Sequence, residues 1–158
     1  MKNKDFDGII LDLDGTLWNP TGVAANAYNK AIEKMNVKSK KITAEILQQE
    51  FGQPMDKIAL DLWPNLPNQE RDKLVECVLS EEQTELENIN TDVNYPGVID
   101  TLKQLSSTTK IFVVSNCHEG YMQVALEKTR ILPYVTDYEY FGRTQKPKDE
   151  NIRLVMSR

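Results

Sequence analysis

In IILDLDGTLW, residues 9–18, an apolar run meets two aspartates spaced one apart. Residues two apart in an extended chain point to the same side, so Asp12 and Asp14 present both carboxylates to one pocket. Carboxylates that close repel, and one takes up a proton unless a cation intervenes. Mg2+ is the simplest such cation, because it binds carboxylates together with substrate phosphate. A calcium loop does not fit: counted from Asp12, the sixth and twelfth positions are Leu17 and Val23, where Gly and Glu are required. Asp12 and Asp14 are therefore candidate catalytic groups and candidate metal ligands.

Two later clusters have complementary chemistry. Ser115 and Asn116 close KIFVVSN, offering a hydroxyl, an amide and the backbone N–H groups of a turn, all suited to phosphate oxygens. Lys146, followed by Pro147 in GRTQKPKD, adds a point charge that offsets a carboxylate and a phosphate together.

The elements that must position these groups follow from periodicity. FDGIILDL, residues 6–13, reads as a short buried strand. From 22 to 36 the apolar residues Val23, Ala27, Ala31 and Met35 form a helical stripe. Thr43 caps a second helix carrying Ile46 and Leu47, and Pro54 opens a third with Ile58, Ala59 and Leu62. Pro67 opens a longer, highly charged helix through Leu74, Val78 and Leu86. After the polar connector NINTDVNYPG, the pattern predicts a helix over 97–106, a strand over 110–114 and a helix over 119–130. A strand over 138–141 and a last helix capped by Asp149 complete the chain. Strands alternating with helices predict an α/β fold with a parallel sheet. Its segments would be 1–17 and 93–158, with a four-helix insert over 18–92.

DLDGT at 12–16, SN at 115–116 and KP at 146–147 resemble, in order, the first three motifs of the haloacid dehalogenase-like (HAD) hydrolases. The helical insert resembles the C1-type cap of the phosphoglycolate phosphatase-like branch, and YPGVIDTLKQL resembles that branch's re-entry to a Rossmannoid core. The resemblance covers essentially the whole chain. It implies that Asp12 is the nucleophile, forming an aspartyl-phosphate, and that Asp14 protonates the leaving alkoxide and then activates water. It further implies that Mg2+ sits between Asp12, the backbone carbonyl of Asp14 and the phosphate, with Ser115, Asn116 and Lys146 holding the phosphoryl group. Asp14 argues against a dehalogenase, whose halide leaves without a proton. Thr16 suits the phosphatases better than the phosphomutases, which tend to carry Val there.

The family's fourth motif, a further strand ending in acidic residues, has no match. After Lys146 the acids are Asp149 and Glu150, where a helix begins. The expectation is a chain truncated before that motif, with IILDL left at a sheet edge where unpaired backbone invites association. Two functions follow. One is a Mg2+-dependent phosphatase acting on a small phosphorylated metabolite. The other is a catalytically weak or silent fragment that associates, with itself or a partner, through the open edge.

Composition agrees with an ordinary globular protein, at 27% charged and 40% hydrophobic residues. A net charge of −5 without a Lys/Arg block argues against nucleic-acid binding. No signal peptide or membrane-length apolar run is present, and Cys77 and Cys117 read as reduced thiols of a cytoplasmic protein. The other chemistry-bearing residues take ordinary readings. His118 and Cys117 are loop residues, FGQPM at 51–55 is an interhelical turn, Trp18 and Trp63 are core aromatics, and Arg143 is a surface arginine.

Overall fold

The computed structural model describes residues 6–158. In chain order its elements are β1 (Gly8–Leu11), α1 (Thr21–Lys34), α2 (Ala44–Gln49), α3 (Met55–Leu62), α4 (Asn68–Glu87) and α5 (Val98–Ser106). Then come β2 (Lys110–Ser115), α6 (Tyr121–Thr129), a 3-10 turn (Leu132–Tyr134), β3 (Asp137–Tyr140), α7 (Phe141–Thr144) and α8 (Lys148–Met156). They form two compact units: one takes the chain up to Asn19 and from Asp92 onward, and the other takes Pro20–Thr91.

The first unit is α/β. Its three strands are parallel, in the order β1-β2-β3, so β1 has one strand neighbour among the described residues and lies at the sheet edge. Leu11 pairs with Val113, and Ser115 with Tyr140, so the chain leaves all three strands at one end of the sheet. Ile111, Val113 and Val114 are fully buried on the central strand. Each contributes about 1.5–3 kcal/mol by leaving water. Helices α5 and α8 pack on β2, and α8 also packs on β3.

β1 is shorter than the FDGIILDL pattern predicts. Leu13 already belongs to a turn, where its carbonyl accepts from the N–H groups of Thr16 and Leu17. Two short elements have no counterpart in the sequence pattern: the 3-10 turn and α7. The start of α7 at Phe141 ends β3 one residue before the predicted limit. The predicted cap of α8 is corrected. Pro147 occupies the cap with φ −63°, while Asp149 lies in the first turn and pairs with Arg153 at 3.1 Å. Proline suits a helix entrance because its missing N–H would have had no helical partner.

The second unit is all helical. Ala24, Ala27 and Ala31 make a small-residue face on α1, which packs chiefly against α4 and also on α2. Tyr28 and Trp63 stack in its core with ring centroids 6.0 Å apart. Thr43 caps α2 as its sequence predicts, its Oγ1 accepting from the Ile46 N–H at 3.4 Å. FGQPM forms the turn into α3, and the Met55 sulfur accepts from the Tyr28 hydroxyl at 3.6 Å. No described helix is long and apolar enough to cross a membrane.

Candidate active site

The site is built where the strands of the α/β unit end, the place at which open parallel sheets bind ligands. After β1 the chain turns at once. Gly15 has φ +74°, a conformation open to glycine at little cost, and its N–H donates to the Trp18 carbonyl at 3.0 Å. This turn carries Asp12 and Asp14, both half-buried.

Asp12 does not stand alone. Lys148 Nζ, from the first residue of α8, lies 2.7 Å from its Oδ2, each side chain about 29% exposed. The other carboxylate oxygen, Oδ1, accepts from the Leu13 N–H at 2.8 Å. Asp14 Oδ1 accepts two hydrogen bonds, from the Tyr121 hydroxyl at 2.6 Å and from Trp18 Nε1 at 2.8 Å.

Ser115 is buried at the end of β2, where its Oγ accepts from the Cys117 N–H at 3.1 Å and shapes the turn that follows. Asn116, next in the chain, is half-buried. This loop is clamped against α7. The Gly142 N–H donates to the Cys117 carbonyl at 2.9 Å, and a Cβ at position 142 would stand only 2.2 Å from the backbone nitrogen of Glu119. The position admits no side chain, because the obstruction is backbone.

Lys146 lies in the loop between α7 and α8. Its Nζ is 3.8 Å from Glu150, with the side chain 54% exposed, while Lys148 reaches Asp12. The loop itself is fixed by Asn151, a fully buried residue of α8. Its Oδ1 accepts from the Thr144 hydroxyl at 2.7 Å, and its Nδ2 donates to the Lys146 carbonyl at 3.0 Å.

Thus the three motif segments meet through particular contacts. The Asp12–Lys148 pair joins the first turn to the start of α8, and the Asp14–Tyr121 bond joins it to the start of α6. Gly142 joins the loop after β2 to the segment after β3. Sequence reasoning did not find Lys148, Tyr121 or Gly142. Lys148 stands only two residues past Lys146, so the cationic character of the segment was visible but not which lysine reaches Asp12.

The remaining candidates resolve as follows. Trp63 belongs to the helical core and donates to Ser39 Oγ at 3.0 Å. Trp18 is fully buried yet reaches Asp14. His118 lies edge-on to Tyr121, 5.3 Å between ring centroids. Arg143 sits 4.9 Å from the ring centres of Tyr138 and Tyr140 and pairs with the buried Glu139 at 3.3 Å, so its charge is used within the segment after β3. Cys77 and Cys117 are not joined in a disulfide.

No group of three or more His, Cys, Asp or Glu side chains is placed to hold a metal ion among the described residues. The first turn offers oxygen donors, the Asp12 carboxylate and the backbone carbonyl of Asp14 among them, a donor type that suits a hard divalent ion completing its shell with water and substrate phosphate.

A family model described as haloacid dehalogenase-like hydrolase matches residues 9–158. The chain belongs to the haloacid dehalogenase-like hydrolases. The fold is likewise similar to solved members. A haloacid dehalogenase-like hydrolase from Streptococcus pneumoniae superposes with TM-score 0.80 at 19% identity, covering 96% of this chain and 69% of that one. A predicted phosphatase from Clostridium acetobutylicum gives 0.76 at 15% identity, covering 96% and 69%. A predicted phosphoglycolate phosphatase from Haemophilus somnus gives 0.73 at 21% identity, covering 88% and 64%. At these identities the likeness is one of fold. No curated protein matches the chain.

Proposed function

We propose that this HAD-like chain is a phosphatase that hydrolyses a small phosphate monoester through an aspartyl-phosphate on Asp12. The observation that carries the reading is the pair of carboxylates on the first turn, each met by a side chain from a distant element. Lys148 of α8 pairs with Asp12, as suits a carboxylate nucleophile, and Tyr121 of α6 donates to Asp14.

In the first step an Asp12 carboxylate oxygen attacks phosphorus, the P–O bond to the substrate alcohol breaks, and Asp14 gives its proton to the departing alkoxide. In the second, water gives a proton to Asp14 and attacks the same phosphorus, breaking the bond to Asp12 and releasing inorganic phosphate. Lys148 offsets charge on Asp12. Ser115, Asn116 and Lys146 are assigned to the phosphoryl oxygens, where preorganised donors and charges are the main protein contribution. Mg2+, held by Asp12 and the backbone carbonyl of Asp14, would supply charge stabilisation to the transferring group. The helical insert between β1 and α5 supports placement in the phosphoglycolate phosphatase-like branch with a C1-type cap. The setting that goes with this reading is cytoplasmic, where Cys77 and Cys117 would stay reduced.

The test is turnover of p-nitrophenyl phosphate with and without Mg2+. Turnover should require the metal and vanish in Asp12→Asn with the circular dichroism spectrum unchanged. Full activity in that variant would end the reading.

One observation favours a second reading. Among the described residues β1 pairs with a strand on one side, and a strand edge of this kind is a surface for strand addition. In that reading the chain is a silent association module. Light scattering decides: a monomer with Mg2+-dependent turnover disposes of it.

A further inference from the structure

Trp18 and Tyr121 both donate to the same oxygen of Asp14, Oδ1. They come from different parts of the chain: Trp18 is four residues on, Tyr121 is 107 residues away at the entrance to α6. Each ring is itself fixed. Trp18 is fully buried, and its backbone is bridged to Asn94. Tyr121 is 5% exposed and packs against the Trp18 ring at 5.9 Å with 73° between planes, while His118 covers it at 5.3 Å. A carboxylate bonded at one oxygen by two immobile donors has its side-chain torsions set. Flexible surface donors would not achieve this.

We propose that Tyr121 and Trp18 are positioning residues that lock the Asp14 carboxyl in line for proton transfer. The proposal rests on the phosphatase reading above and deepens it, since Asp14 is the group that exchanges protons with the leaving alcohol and with water. Neither ring touches phosphorus; each acts through Asp14. Geometry of this kind governs rate steeply, because general acid catalysis requires the proton within hydrogen-bond reach of the atom that receives it.

The test compares wild type with Tyr121→Phe on two esters, ethyl phosphate and p-nitrophenyl phosphate, by kcat/KM. That ratio covers the steps through cleavage of the ester bond. Ethoxide needs a proton to leave, whereas p-nitrophenolate leaves without one. Loss of the lock should therefore cost more on ethyl phosphate, changing the ratio of the two kcat/KM values by about tenfold, a fraction of a full general-acid effect. An equal fall on both esters, which is what general damage to the site would produce, overturns the proposal, as does no fall at all.

A wild type inactive on both esters would instead refute the phosphatase reading, and it would do so before any variant is made. The lock is also read without turnover. The indole N–H resonance of Trp18 in a 1H–15N spectrum should shift in Asp14→Asn. That of Trp63, bonded to Ser39 in the helical unit, should stay in place and report a folded chain. A Trp18 resonance that does not move overturns the lock.

Discussion

Gly142→Ala tests whether the loop after β2 and the segment after β3 pack as described. The added Cβ would lie 2.2 Å from Glu119 N, 2.4 Å from His118 C and 2.8 Å from Glu119 Cα. All three are backbone atoms, so no side-chain rotation relieves the contact. One segment must move by about 0.8 Å before the closest pair reaches even 3.0 Å, and further for ordinary contact. That displacement also strains the hydrogen bond from the Gly142 N–H to the Cys117 carbonyl. Overpacking costs about 1–3 kcal/mol and the weakened hydrogen bond roughly 1 kcal/mol more. For a chain of this length each kcal/mol lowers Tm by about 2–4 °C, so a fall of roughly 5–15 °C is expected in a circular dichroism melt. Because the same loop carries Ser115 and Asn116, kcat/KM for p-nitrophenyl phosphate should drop by about 10²-fold, the usual consequence of a displacement near 1 Å. Gly22→Ala is the control: nothing lies within 4 Å of a Cβ there, and the position is helical, so stability should hold or rise. A Gly142→Ala variant with wild-type Tm and wild-type turnover would refute the packing of the two segments.

Lys148→Met removes the cation 2.7 Å from Asp12 and should lower kcat/KM by about 10–10²-fold, within the range for losing a positioned charge; unchanged kinetics would show that Lys148 plays no part in the reaction. The Asp137 carboxyl provides a separate test of stability. Burial pushes it up, but hydrogen bonds from Arg158 and the Tyr138 N–H, with the charges of Arg158 and Arg143, hold it below the ordinary carboxylate range. Its folded pKa is below its unfolded one, so the contribution is complete above about pH 4 and is lost as pH falls through the folded value. Asp137→Asn should therefore flatten the fall of urea-melt stability below about pH 4; curves parallel to wild type would contradict the assignment.

What could be read from the sequence was what short spacings determine. The strand KIFVV and the capping Thr43 depend on neighbours a few residues away, and they stand where the pattern puts them, whereas Asp12 and Asp14 lie on the turn after β1 and not on an extended strand. The contacts that make the site specific were not legible, because they close over long separations. Tyr121 reaches Asp14 across 107 residues, and Gly142 is forced to be glycine by backbone more than twenty positions earlier. The sequence pointed to Lys146 in GRTQKPKD and not to Lys148, whose contact with Asp12 closes across more than 130 residues. Asn151 anchors the Lys146 loop from inside the core, a contact the pattern did not reveal.

The central claim is that the transferring phosphoryl group passes through Asp12. Acid quenching during turnover of a 32P-labelled phosphate monoester, followed by peptide mapping, reads this directly. The account predicts radiolabel on the peptide containing Asp12, and none on that peptide in Asp12→Asn. Turnover with no label on that peptide at any quench time, or label that persists there in Asp12→Asn, would contradict it.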